Sequence, residues 1–372
     1  MDTDALTAGL LRELRARRPY PALSLTMPTH RRAPDNAQDA VRLRNLVAEA
    51  GNRLVAEPRV TREARIAVKA QLDRAVADLD PRRALDALVV LADANGHQTW
   101  RLPRTAPERV VLGDTFLTRN LVAAKALSRR FRVLTVSAEH AALWSGTDQE
   151  LHEEHGNGFP LRAPHDDPNP QREERIGDTK STYSSEETRQ FMRTVAEKLR
   201  GTVAADPHCP LFLMGLAPAL ALLDEVGDSA RSAVGRVTRA VPLETTAAEL
   251  LKELRPALDD RRGREAAEIR KRLDRARGNH SFAGGLDEVW AAVREGRAGL
   301  VTVEEHFQQT VRVTDEHLEP VNEDTARGAD GRVREDIVDE LVEAALDSGS
   351  EVVFVADGSL AEHGRISAAL RF

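Results

Sequence analysis

The chain has 372 residues, 41% of them hydrophobic, with a net charge of −7, which is enough apolar material for two or three domains at the usual ~100–200 residues each. Its one cysteine, Cys209, excludes a disulfide framework and the common cysteine-based zinc patterns and suits a reducing compartment, the cytoplasm. No stretch approaches the roughly 20 apolar residues of a membrane span, and the acidic balance excludes a surface coated in phosphate-binding groups, so any RNA contact must be local.

The start, Met1 to Leu14, is an amphipathic mix of acid and base, read as a short helix ending before Pro19 and not as a signal peptide. From Ala22 to Pro28 small and polar residues alternate with Leu23, Leu25 and Met27, the period of a strand. A loop, "THRRAPDN", follows. From Gln38 two helical patterns are predicted, with Val41, Leu43, Leu46 and Val47 before a break at Gly51, then Ile66, Val68, Leu72, Val76 and Leu79 before Asp80-Pro81. "LDALVVLADANGHQTWRLP" reads as a hairpin about Asn95-Gly96, a dipeptide suited to the positive φ of tight turns.

Near Ser128 "FRVLTVS" and "HAALWSG" predict two further strands, and the sequence then turns polar and Pro-dotted from His152 to about Glu186. A helix from Glu186 to Leu199, a strand "CPLFLMGL" and a helix from Pro218 to Val226 come next. Thr245 or Thr246 caps the following helix, and the chain passes into a charged helix, "DDRRGREAAEIRKRLDRARG". Beyond it, "GGLDEVWAAVREGRAGLVTVEEH" is a helix closed by Gly296 and a strand from Ala298 to Val303. A polar insert spans Thr314 to Arg332. Another helix, a stop at Gly349, a buried strand and a last helix in "HGRISAALRF" complete the pattern. Strands interleaved with helices make the fold class α/β, in three α/β units whose last is an α/β/α sandwich.

Candidate chemistry is sparse. His152 and His155 are three apart, whereas a zincin helix spaces its histidines by four, and Gly156, Gly158 and Pro160 break any helical platform on which His165, Asp166 or Asp167 would join them. There is no nucleophile elbow, and Cys209, beside Pro210 at the start of an apolar strand, reads as core. Gly284-Gly285 lacks phosphate-loop spacing and opens a helix instead. The arginines from Arg261 to Arg277 alternate with Asp259, Asp260, Glu265, Glu268 and Asp274, the texture of a solvated helix with neighbouring charge pairs. Trp100, Trp144 and Trp290 sit among apolar neighbours and read as packing residues. No residue is assigned as catalytic, and no metal or cofactor is called for.

The order of these units carries more. "LSLTMPTHRRAPDNAQDAVRLRNLVAEAGNRL" resembles the opening of the bacterial relatives of the archaeal and eukaryotic class I peptide-release factors and Pelota. The resemblance implies an N-terminal release-factor-like domain (1–127), an RNase H-like middle domain (128–257) with a long loop at 152–186, and a Pelota-like C-terminal domain (258–372). "FRVLTVSAEHAALWSG" and "EETRQFMRTVAEKLRG" look like the middle domain, and "GLDEVWAAVREGRAGLVTVEE" with "ISAALRF" looks like the third. It also implies a ribosomal partner, its RNA and tRNA site, together with a translational GTPase.

In release factors the long loop carries the Gly-Gly-Gln tip that places the hydrolytic water. Here the nearest match is Gly156-Asn157-Gly158-Phe159, a degenerate tip without glutamine, in a loop with nine carboxylates against four basic residues from His152 to Glu187. The stop-codon-reading Asn-Ile-Lys-Ser motif is also missing, its place taken by "GNRLVAEPRVTREAR". The resemblance therefore implies a ribosome-associated, non-hydrolytic factor of the A-site region, acting in rescue or hibernation. Two alternatives stand beside it: a tRNA- or RNA-cleaving enzyme using carboxylates such as Glu153, Glu154, Asp166 and Asp167, and a protein-binding adaptor that has left the ribosome. Ribosome contact is expected through His30, Arg31, Arg32, Arg42 and Arg44, the competing expectation being that Arg42 and Arg44 pair with Asp39 and Glu49. The segment from Glu153 to Ser185 is expected to be exposed and mobile, with Phe159 and Tyr183 as its anchors.

Overall fold

A computed structural model describes residues 1, 5–80, 83–127, 130–163, 186–314, 317–321 and 333–371. The chain divides into two compact units, one made of Met1–Ser128 with Ile269–Phe372, the other of Arg129–Glu268. The fold class is α/β in both.

In the first unit β1 (Ala22–Pro28) lies inside an antiparallel sheet with β2 (Ala87–Ala92), β3 (His97–Leu102) and β4 (Arg109–Gly113), in the order β3-β2-β1-β4. Its alternation is two-sided. Leu23, Leu25 and Met27 pack under α2 (Asp39–Ala56) and α3 (Arg62–Ala77), while Ala22 belongs to the core on the opposite face with α1 (Ala8–Arg15) and α4 (Arg119–Leu127). Gly51 does not end α2. An internal glycine weakens a helix by only ~1 kcal/mol, and the buried Leu46, Ala50 and Leu54 hold it until Glu57, which turns extended (φ −80°, ψ 111°) ahead of Pro58. The β2–β3 hairpin is present, but neither Asn95 nor Gly96 has a positive φ. Asp93 Oδ1 instead accepts from the backbone N–H groups of Asn95 (2.7 Å) and Gly96 (2.9 Å), so a side chain shapes the turn.

The same unit contains a second sheet of β11 (Phe282–Gly284), β12 (Ala298–Glu304), β16 (Glu351–Val355) and β17 (Ile366–Leu370), in the order β11-β17-β12-β16. The closing segment, expected as a helix, is thus strand β17, antiparallel to both β11 and β12. Its alanine-rich sequence favours a helix locally, but ladders on both sides and burial on both faces outweigh that preference. Helices α8 (Leu286–Arg294) and α9 (Ile337–Asp347) cover one face through Val289, Val293, Ile337 and Leu341, and Ile269 and Leu273 from the last turns of α7 (Ala247–Gly278) cover the other. This is an α/β/α sandwich. Gly285 (φ 82°) opens α8 and Gly296 (φ 69°) closes it, as their spacing predicted. Within the polar insert β14 (Leu318–Pro320) joins the flanking β13 (Val311–Val313) and β15 (Val333–Arg334) in a small sheet, and residues 315–316 and 322–332 lie outside the described residues.

The second unit holds β5 (Phe131–Val136), β6 (His140–Gly146), β7 (Leu151–Glu153), β8 (Leu161–Arg162), β9 (Leu211–Gly215) and β10 (Gly235–Thr238). The order is β10-β9-β5-β6-β7, with β8 also on β6. Strands β5, β6 and β7 run as an antiparallel meander, whereas β9 and β10 are parallel to β5. One face is covered by α5 (Glu186–Ala205) and α6 (Ala217–Val226), the other by Leu250, Leu251, Leu254 and Leu258 of α7. Thr246 and Glu249 cap α7 reciprocally, with Glu249 Oε2 accepting from the Thr246 backbone at 2.9 Å and Glu249 N–H donating to Thr246 Oγ1 at 3.3 Å. The capped helix and the charged helix are one 32-residue element that passes through Pro256. An interior proline costs about 3 kcal/mol, and four buried leucines around it, at about 1.5–3 kcal/mol each, offset that loss. Its arginines pair as expected, Arg261 with Glu265 at 2.8 Å and Arg262 with Asp259 at 3.2 Å. Among the described residues no helix is long and apolar enough to cross a membrane.

Candidate functional site

The expected basic face is only partly available. His30 is tied to Asp39 by its backbone N–H (2.7 Å) and by Nδ1 (2.9 Å), and Arg42 reaches the same carboxylate at 3.1 Å and Glu108 besides. Arg31 forks onto Asp86, Nε to Oδ1 at 2.7 Å and Nη2 to Oδ2 at 2.8 Å. Glu49, the expected partner of Arg44, is held by Arg53 at 3.0 Å. Arg32 and Arg44 are exposed and have no ion-pair partner among the described residues. An open cleft of about 520 Å³ runs beside α2, lined by Gln38, Val41, Arg42, Asn45, Glu49 and Glu108. Three of the five candidates are thus neutralised by carboxylates, and two remain for phosphate contact.

The tip differs more sharply from expectation. Strands β7 and β8 both pair antiparallel with β6, Gly146 opposite Leu151 before the tip and Ala141 opposite Leu161 after it. They behave as one edge strand interrupted by the excursion 154–160. Within it Gly156 and Phe159 exchange backbone hydrogen bonds at 2.9 and 3.2 Å, and the two residues between them, Asn157 (φ 54°) and Gly158 (φ 89°), both have positive φ. That is the two-residue hairpin turn for which Asn-Gly is suited, found here and not at Asn95-Gly96. Phe159 is 4% exposed, packed in the core with Phe191, Val195 and Leu199. A Cβ at residue 158 would meet the Lys198 side chain at 2.9 Å.

The expectation of a structureless, mobile run from Glu153 is therefore corrected through Ala163. The sheet edge and the buried ring of Phe159 order it. Residues 164–185, with Asp166, Asp167, Gln171 and Tyr183, lie outside the described residues. Of the carboxylates in the nuclease alternative, Glu154 is engaged by Arg132 at 3.5 Å. Among the described residues no cluster of three or more His, Cys, Asp or Glu side chains is placed to hold a metal ion. Cys209 is half-buried and not core, since it precedes β9 at the rim of the sheet; burial pushes its thiol pKa up, away from the thiolate form.

Sequence reasoning missed a buried charge set in the first unit. Asp336 caps α9 and faces both Arg109 (3.5 Å) and Arg119 (3.6 Å), Asp339 accepts from the Arg119 backbone at 2.6 Å, and Glu343 accepts from Thr118 Oγ1 at 2.8 Å. Burial, and then the negative charge of Asp336, raises the Asp339 pKa to about 7, and burial and Asp339 push Glu343 up to about 9. The only signal in the sequence is the spacing of Asp336, Asp339 and Glu343 along one helix face. Their partners lie more than 200 residues away.

Residues 130–297 match the Bacterial archaeo-eukaryotic release factor family 3. Over that segment the chain is related to the bacterial archaeo-eukaryotic release factors. Solved structures of similar arrangement include the archaeal translation termination factor aRF1, at 19% identity with 100% of this chain and 99% of that one covered and a TM-score of 0.25. Archaeoglobus fulgidus Pelota matches at 20% identity over 77% of this chain and 79% of its own, with a TM-score of 0.36. S. cerevisiae Dom34, a translation termination-like factor interacting with Hbs1, matches at 12% identity over 77% and 73%, with a TM-score of 0.43. No curated protein matches. The matched segment includes the turn from Gly156 to Phe159.

Proposed function

We propose that the protein is a translation factor of release-factor type that binds the ribosomal A-site region in rescue or hibernation and does not hydrolyse peptidyl-tRNA. The domains are those the resemblance implies, bounded at 1–127, 128–257 and 258–372, with the meander and two parallel strands supporting an RNase H-like middle domain. The observation that carries the reading is the tip. Hydrolysis needs a water held in line with the ester carbonyl and donors aimed at the developing oxyanion. On this reading the Asn157-Gly158 turn, with Phe159 buried behind it, is the replacement for a flexible tip carrying a glutamine, and the positive φ of both turn residues and the buried ring support it. Gln149, upstream of β7, belongs to a different turn. A relative, S. cerevisiae Dom34, interacts with Hbs1, and we extend to this chain a translational GTPase partner and the ribosome, with cytoplasmic location.

Two measurements test this. The purified protein is expected to sediment with ribosomes in a salt-dependent way, and to release no labelled formyl-methionine from programmed ribosomes, with or without a stop codon in the A site. Release above the buffer blank that disappears in Gln149→Ala or Gln171→Ala would overturn the reading.

A further inference from the structure

Thr105, in the loop between β3 and β4, meets His306, which in turn meets Asp357, at the carboxyl ends of the parallel strands β12 and β16. In α/β sheets ligands bind at the carboxyl ends of parallel strands. His306 Nδ1 is 2.7 Å from Asp357 Oδ2, and its backbone N–H donates to Asp357 Oδ1 at 3.1 Å. On the other side of the ring, Nε2 faces Thr105 Oγ1 at 3.3 Å and Arg104 Nη2 at 3.4 Å. Arginine only donates. In the tautomer with its proton on Nδ1, directed at Asp357, Nε2 offers its lone pair to the side where the Thr105 hydroxyl and Arg104 lie.

A hydroxyl, an imidazole and an orienting carboxylate in this order form the constellation that activates a nucleophile, and its hydrogen bonds are often loose without substrate. The group is open to solvent, with Thr105 exposed and the side chains of His306 and Asp357 35% and 44% exposed. Burial works against the Asp357 carboxylate, but hydrogen bonds from the His306 backbone and ring, with Arg365 nearby, outweigh it and hold its pKa below the usual value, so it stays ionised as the orienting partner requires. Arg104 is held against the cluster by its bond to the Glu305 carbonyl at 3.2 Å, while its Nε and Nη1 are buried without hydrogen-bond partners, an arrangement that packing alone disfavours.

We propose that Thr105, His306 and Asp357 form an acyl-transfer site for small uncharged carboxylic esters. His306 Nε2 takes the Thr105 proton as Oγ1 bonds to the ester carbonyl carbon. The tetrahedral adduct collapses by breaking the bond to the alcohol oxygen, and the alcohol leaves with the proton returned by His306. Water, deprotonated by the same imidazole, then attacks the acyl-threonine, freeing the acid and restoring the hydroxyl. Charge selects the substrate class. Arg104 and Arg365 face Glu304, Glu305 and Asp357, with Arg365 paired to Glu304 at 2.7 Å and to Asp357 at 3.2 Å, so the excess is negative and repels phosphodiesters. Peptidyl-tRNA is therefore no substrate here, and the ribosomal reading stands or falls separately.

The test is labelling of the full-length protein with an uncharged alkyl fluorophosphonate, on which Oγ1 displaces fluoride to give an ester that does not turn over. A phosphonyl adduct is expected on the peptide carrying Thr105, absent in Thr105→Val and formed about 100-fold more slowly or less in His306→Gln. Melting curves of both variants show whether they are folded, and the wild-type labelling decides even if they are not. No adduct at Thr105 in the wild type, or an equal rate in folded His306→Gln, overturns the proposal.

Discussion

Replacing Glu343 by glutamine tests the buried charge set directly. The glutamine keeps an oxygen to accept from Thr118 Oγ1 (2.8 Å in the wild type) and removes only the titration. Burial and the neighbouring Asp339 raise the carboxyl from 4.5 to about 9, with Arg15 opposing and Asp347 reinforcing the shift. Between those pH values the folded protein holds a proton that the unfolded chain has released. A raised carboxylate pKa therefore contributes stability that is full below the unfolded pKa and is lost as pH rises through the folded one. One such proton gives a slope of about 1.4 kcal/mol per pH unit, or about 3 kcal/mol between pH 6 and pH 8. Because the side chain is not wholly buried, this is an upper bound. Denaturant unfolding followed by circular dichroism at pH 6, 7 and 8 should show wild-type stability falling more steeply than that of Glu343→Gln, with the histidines common to both cancelling. Parallel pH profiles for the two proteins would refute the argument.

Removing the tip's anchor with Phe159→Ala should destabilise the second unit by about 3–5 kcal/mol and open the excursion to proteases; an unchanged unfolding midpoint would show that the ring anchors nothing. A deletion from Asn157 to Thr182, neutral for a loop that is merely mobile, should instead lower the melting temperature because it removes Phe159 and β8. Asn157→Val, forced to a positive φ (54° in the wild type), should cost about 1–2 kcal/mol. On the basic face, Arg32→Glu with Arg44→Glu should flatten the salt dependence of ribosome binding by about one power of salt per lost contact, and Arg31→Glu, whose charge already serves Asp86, should do less. Ribosome binding unchanged across a salt series would remove this face from the proposal.

What the sequence revealed depended on how local the decisive interactions are. Strand β1 was legible because its alternation survives burial on both faces, and α8 because Gly285 and Gly296 bracket it. Strand β17 was not, since its five residues favour a helix and its partners Phe282 to Gly284 and Ala298 to Val303 are remote in sequence. Two Asn-Gly dipeptides looked alike as turns, yet the one preceded by Asp93 is shaped by a side chain and the one at 157–158 by positive φ. At the sites the basic residues were legible, but their neutralisation by Asp86 and Glu108 was not, because those carboxylates come from other segments. Nor does any local pattern join Thr105 to His306 and Asp357, or Arg119 to Asp339.

The interrupted edge strand also bears on how this protein and its relatives diverge. Because β7 and β8 are each registered on β6 independently, residues gained or lost between Glu154 and Gly158 leave both ladders in place, provided the aromatic ring behind them keeps its seat. The length of the excursion before the turn is thereby less tightly tied to the stability of the domain than the turn itself, whose positive φ values and buried Phe159 are part of its packing. A change in the length of this excursion can therefore be absorbed without exposing the sheet beneath.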